Sequence, residues 1–452
     1  MAFLCMAVAR YTRPTLNAQQ VGLVLMDDFQ VKGDVAPGFE SVKRLFQQQM
    51  STLAEENAQL CVYHRGKKVV DLWASASGDE TFAADSLVNI FSSGKSLEAI
   101  AIGMLASRGL IDYDATITRY WPEFGARGKH GVTVADLMRH EAGLANFDTP
   151  LDAKDLFTEN IKKNAVGQVI EQHELSYGPD GKREYHAITR GWIVNELFRR
   201  VDPAGRTIGE FLREEISGPL GADVFVGLQE QERQRAFPVR PLGFAYQIWQ
   251  SLLPRRLGRR VFHNAFQLLA RIGKMLPSII KRGRKGRPPP AFSEMTGLDY
   301  FNAHEFGKGE TSSANATCSA RGLARVGAMM SAGGTLEGRE FLSASAWQAL
   351  HAKPVAAMMG AVMPTRFTQG GVDCFKPSAA GSSLFERAFN DGREGFYGWM
   401  GFGGSIFQWH PEQDIGFAFV PTSLHYLDFL NERGKYYQAE VLRCVERLEP
   451  PV

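Results

Sequence analysis

Ser92-Ser-Gly-Lys95 sets a hydroxyl and an amine three residues apart, and a helix brings positions i and i+3 to one face. A Ser92 hydroxyl and a Lys95 ammonium can therefore touch, and a serine is a weak nucleophile until a neighbouring group takes its proton. The segment opens a helical pattern. Leu97, Ile100, Ala101, Met104 and Leu105 recur at i, i+3, i+4, i+7 and i+8, and Gly109 stands where such a helix stops. A helix start offers unbonded backbone N–H groups and a positive potential, which suit a developing negative charge. An ordinary helix cap fits the same position, and a second match, Ser278-Ile-Ile-Lys281, shows how readily the spacing arises by chance.

Other hydrolytic chemistries lack their residues. No G-x-S-x-G elbow occurs, and no His/Asp or Cys/His cluster suggests a metal, so neither metal nor cofactor is expected. Cys5, Cys61, Cys318, Cys374 and Cys444 are odd in number and far apart, which fits reduced thiols.

The elements that must hold Ser92 come from both ends of the chain. Residues 59–64 and 68–73 are β-rich runs around Arg65-Gly66-Lys67 and read as a hairpin. Ser405–Trp409 and Ile415–Val420 read as strands with a turn at Pro411–Asp414, and Glu432 to about Arg447 reads as a closing helix. Helical patterns fill most of the interval to about residue 235. The expected fold is α/β, a sheet assembled from the two chain ends and flanked by helices, with an all-helical insertion. The corresponding boundaries are an extension over 1–40 and a catalytic domain over 41–448. Within it the sheet part takes 41–110 and 305–448, and the helical part 111–304.

At this point the sequence resembles the β-lactamase-related serine hydrolases, the class C β-lactamase-like esterases on the penicillin-binding-protein fold. Val88–Ser96 looks like their nucleophile segment, whose S-x-x-K motif Ser92 and Lys95 supply. Gly109–Ile117, Tyr120–Phe124 and Val132–Leu144 resemble the run that follows it, and Ser312–Asn315 and Ser319–Ala324 resemble the start of a later helix. The resemblance spans roughly residues 40–448. It implies that Tyr185, 93 residues after Ser92, takes the place of the Y-x-N tyrosine and acts as base, its phenol made more acidic by Lys95. A literal Y-x-N at Tyr300–Asn302 stands at the wrong separation. Ala187 departs from the motif, since its side chain cannot hydrogen-bond a substrate amide. Gly398–Ser405 looks like the W-x-G variant of the third motif. There Trp399 replaces a cation with an apolar wall, Gly401 admits close backbone approach, and the N–H of Phe402 joins that of Ser92 in an oxyanion hole. His140 resembles a structural histidine behind the site, and His186 is expected to line the pocket.

These readings imply an esterase-like serine hydrolase acting on a small ester or amide through a Ser92 acyl-enzyme. An acyltransferase on the same site is an alternative. So is a catalytically retired scaffold that binds lipid or a protein partner.

Composition, 44% hydrophobic and 22% charged, is that of a soluble globular protein, and a net charge of +2 suggests no nucleic-acid partner. The average hides an asymmetry. Between Arg255 and Arg287 lie eleven Lys and Arg and no acid, so the remaining 40 basic residues face 49 acidic ones. Over 244–287, within a basic insertion at 238–290, these charges interleave with Trp249, Phe262, Phe266, Leu269, Ile272 and Leu276. The pattern suits a helical lid or an interfacial helix on an anionic membrane. No run of about 18 apolar residues suggests a membrane span. The apolar Ala2–Ala9 has no preceding charge, and Arg10 and Arg13 without an acid would also suit a mitochondrial presequence. A cytoplasmic location is expected, with a mitochondrial one as the alternative.

Overall fold

The computed structural model describes residues 29–177, 182–284, 289–360 and 363–448, with side chains omitted for 277–284. The N-terminal residues 1–28 and the Ser278–Lys281 side chains therefore lie outside the described residues.

Strands β1 (Lys32–Val35), β2 (Asn57–His64) and β3 (Lys67–Ser75) form one end of a nine-stranded sheet. β4 (Val355–Met359), β5 (Met363–Phe367), β6 (Asp373–Cys374), β7 (Tyr397–Met400), β8 (Ile406–His410) and β9 (Ile415–Pro421) complete it. The order is β1-β3-β2-β9-β8-β7-β6-β5-β4, antiparallel throughout. The expected hairpin is present, its strands running Asn57–His64 and Lys67–Ser75, longer than expected by two and three residues, with Arg65 and Gly66 at positive φ as a type I′ turn requires. β2 pairs with β9 in the register Cys61 to Ala418, the seam that joins the two chain ends. Every residue of β9 is buried because helices cover both faces.

On one face lie α1 (Glu40–Thr52) and the closing helix, α7 (Glu432–Leu448). The other carries α2 (Lys95–Ser107) and α6 (Ala320–Ser331). α2 is buried all round from Lys95 to Leu105, and Gly109 follows at φ +69°, ending it as expected. Ser319 caps α6, its Oγ accepting the Gly322 N–H at 3.1 Å.

Two expectations change. β1 falls inside the segment read as an extension, so the sheet begins before residue 41. The helical part is not all helical: Val224–Phe225, Ala236–Phe237 and Arg240–Pro241 form short strands. The first two join a small sheet with Leu87–Asn89 and Thr317–Cys318, just ahead of Ser92. Two-residue strands carry too little periodicity to be read. The basic insertion contains α4 (Phe244–Leu252) and α5 (Ala265–Arg284), and α3 (Thr189–Val201) runs beneath the site. Among the described residues no helix is long and apolar enough to cross a membrane.

Candidate active site

Ser92 lies in a 3₁₀ turn, Phe91–Gly94, that leads into α2. Phe91 adopts φ +48°, an uncommon conformation for a bulky residue, and its N–H donates to Asn89 Oδ1 at 2.8 Å. This turns Ser92 toward an open cleft while its neighbours point inward. From Phe91 to Leu105 it is the one residue that is not buried. Gly94 is crossed so closely by the 312–316 segment that a Cβ there would sit 2.1 Å from the Ser312 carbonyl oxygen. The small residue in Ser-x-Gly-Lys is thus fixed by packing.

Lys95 Nζ is fully buried and stands 3.2 Å from Ser92 Oγ. It also donates to the carbonyls of Ala187 at 2.7 Å and Ser313 at 3.2 Å. Burial holds its pKa well below the usual lysine value; Glu98 opposes that shift and Arg190 adds to it. Ser92 Oγ and the two carbonyls together fix Nζ beside the nucleophile.

Tyr185 follows an irregular segment and precedes α3. Its hydroxyl bonds with Ser92 and accepts the Trp399 indole N–H at 2.9 Å. Burial pushes the phenol up to about 12, against the effect of those two hydrogen bonds. The expectation that Lys95 acidifies the phenol is therefore corrected: Lys95 Nζ lies 4.9 Å from the centre of the Tyr185 ring and directs its donors elsewhere.

Trp399, on β7, does line the cleft as an apolar wall, but its N–H also orients Tyr185. Gly401 follows β7, and a Cβ there would meet Ser405 Oγ at 2.1 Å and Ile90 O at 2.2 Å. That crowding seats the backbone of Gly401 and Phe402 against the nucleophile turn. Ser405 Oγ donates to Ile90 O at 2.6 Å and lies 3.0 Å from Ser93 Oγ. Asn431 Nδ2 donates to the carbonyls of both Gly401 and Ser405, at 2.8 and 3.0 Å.

His186 is a second correction. It is buried and absent from the cleft lining. Its Nε2 accepts the Leu144 N–H at 3.0 Å, so Nδ1 carries the proton and donates to Glu184 O at 2.6 Å. Burial pushes it down to about 3, so it stays neutral and structural. His140 does pack behind the site: it accepts the His186 N–H at 3.2 Å, and its ring centre lies 5.0 Å from that of Tyr185.

Three contributions escaped sequence reading. The Ser313 carbonyl holds Lys95. Asn431 and Ser405 brace the turn at Gly401. A buried Arg190–Glu98 pair, 2.8 Å apart, ties α3 to α2, with Arg190 Nη2 donating to the Lys95 carbonyl at 2.8 Å. Glu98 lies three residues beyond Lys95 and was the one available signal.

The beta-lactamase family matches residues 42–441 of the chain. The esterase/beta-lactamase LipL of Mycobacterium tuberculosis is 30% identical over 405 residues, 87% of this chain and 83% of that protein. A family VIII carboxylesterase shares the fold, with a TM-score of 0.71 at 24% identity over 92% of this chain and 100% of that one. EstA from Arthrobacter nitroguajacolicus Rue61a gives 0.68 at 25% identity, over 92% and 98%. The chain belongs to the beta-lactamase family, and within it to the serine hydrolases.

Proposed function

We propose that the protein hydrolyses small neutral esters through an acyl-enzyme on Ser92. The observation that carries this reading is the Lys95 amine, buried and 3.2 Å from the one hydroxyl of its turn that is not buried. Lys95 Nζ takes the Ser92 proton as Oγ attacks the ester carbonyl carbon. The backbone N–H groups of Ser92 and Phe402 hold the oxyanion. Tyr185 is still protonated at neutral pH. It gives its proton to the departing alkoxide and recovers one from Lys95 as the ester C–O bond breaks. Water then adds to the acyl carbon by the reverse path, which restores Ser92. No step calls on a cofactor.

Substrate class follows from the lining. Met275, Met359, Met363, Met400, Trp399 and Phe402 make the wall apolar. Among the described lining residues there is no Lys or Arg, and Asp428 contributes a carboxylate. A substrate carboxylate would meet like charge there, and the Ala187 side chain offers an amide no hydrogen bond. Esters with apolar groups fit better than penicillins. The relatives named esterase/beta-lactamase and family VIII carboxylesterase support ester hydrolysis, and the contrast with penicillins rests on the lining.

The test is turnover of short-chain p-nitrophenyl esters by wild type and Ser92→Ala. Wild type is expected to be active and the variant inactive with its fold intact. Wild-type turnover in Ser92→Ala would remove the nucleophile assignment.

A further inference from the structure

The insertion carries large apolar side chains on its outer face, and α4 turns polar ones inward. In α4, Gln247, Gln250 and Ser251 are buried, while Trp249 and Leu252 stand 54% and 66% exposed. The inward polarity is built into the fold. Gln250 Oε1 accepts the Arg260 N–H at 2.7 Å, and Gln247 Nε2 donates to Leu242 O at 2.9 Å. In α5, Leu268, Arg271 and Met275 face inward, whereas Phe266 and Leu269 stand 82% and 68% exposed. A helix covering a soluble protein turns polar residues outward. Among the described residues eleven large apolar side chains are exposed, and six of them fall here: Trp249, Leu252, Leu257, Phe266, Leu269 and Leu276. A concentration of this kind marks a binding surface.

Charge identifies the occupant. No Asp or Glu occurs between Glu232 and Glu294, and the exposed Arg255 and Arg256 stand in the turn between α4 and α5. An apolar face rimmed by cations without acids is complementary to a bilayer surface bearing anionic headgroups. The face also adjoins the catalytic cleft. Met275 lines that cleft, while its neighbour Leu276 is exposed. The insertion is fastened to the cleft's far wall, because His263 Nε2 lies 3.1 Å from Asp428 Oδ1 and Arg271 pairs with Glu432.

We propose that residues 244–276 are a docking face for anionic phospholipid membranes that seats the Ser92 cleft beside the lipid surface. Binding does not depend on the catalytic reading, so it is measured on Ser92→Ala as well as on the active protein.

The experiment is co-sedimentation with phosphatidylcholine vesicles, with and without phosphatidylglycerol, at low and high salt. The intact chain should bind the anionic vesicles at least about tenfold more strongly, since each basic residue at such a surface contributes about fivefold. High salt should weaken that preference. R255E/R256E and, separately, W249Q/L252Q/F266Q/L269Q should each lower binding about tenfold or more, again on the scale of one or two contacts. Both variants should keep soluble-ester turnover within about twofold of wild type, because these side chains lie outside the cleft. Equal binding to both vesicle types, or unchanged binding by the variants, would overturn the proposal. So would a dimer by light scattering that the apolar variant dissolves and vesicles do not displace, since a second copy would then occupy the face.

Discussion

At the residue scale, the chemistry divides between a lysine whose pKa burial holds well below the usual value and a tyrosine whose pKa burial pushes up to about 12. Lys95→Ala and Tyr185→Phe should each lower kcat by about 10²–10⁴, the usual range for lost acid–base help, and the double variant by little more. The activity should rise with pH as Lys95 loses its proton, well below the usual lysine value. With Tyr185 pushed up to about 12, no alkaline decline from the phenol is expected below about pH 10. Stability follows the same sign. Between the depressed native value and the unfolded one, the unfolded chain binds a proton that the native site refuses, so stability rises with pH across that window. Lys95→Met should lose this slope, and parallel pH–stability curves for the two proteins would show that Lys95 is charged in the native state. Trp399→Phe removes the indole N–H from Tyr185 and should lower kcat with little change in KM, measured by steady-state kinetics.

At the element scale, the site is a meeting of three segments: the 3₁₀ turn before α2, the loop before α3 and the turn after β7. The strands and helices carrying them were largely legible, because β2, β8, β9, α2 and α7 have long, regular apolar patterns. The spacing of Ser92 and Lys95 marked them as candidates, as it also did Ser278 and Lys281, and resemblance then singled them out and added Tyr185. His186 misled because proximity to Tyr185 in sequence says nothing about which way a loop residue turns; its ring faces Leu144 and Glu184. The bracing was illegible, since Ser313 and Ser405 meet Lys95 and Ile90 across 218 and 315 residues, and Asn431 reaches Gly401 and Ser405 across 30 and 26. Two substitutions test the bracing. Gly401→Ala forces a Cβ into Ser405 and Ile90, and should cost about 1–3 kcal/mol with a fall in kcat. Glu98→Ala leaves Arg190 buried without its partner and should cost about 3–5 kcal/mol by urea unfolding.

At the scale of the whole molecule, a sheet closed by both chain ends supports a cleft to which the basic insertion contributes Met275. The lining as a whole is methionine-rich and carries an acid, Asp428, rather than a cation. Nitrocefin should therefore turn over far more slowly than p-nitrophenyl butyrate, and comparable rates would contradict this reading of the lining. The most direct test of the central claim is intact-protein mass spectrometry after a fluorophosphonate probe, with peptide mapping of the adduct. The account predicts a single stoichiometric adduct on Ser92, absent in Ser92→Ala and formed at least about a hundredfold more slowly in Lys95→Ala. An adduct on another residue, or an equal labelling rate without Lys95, would contradict it.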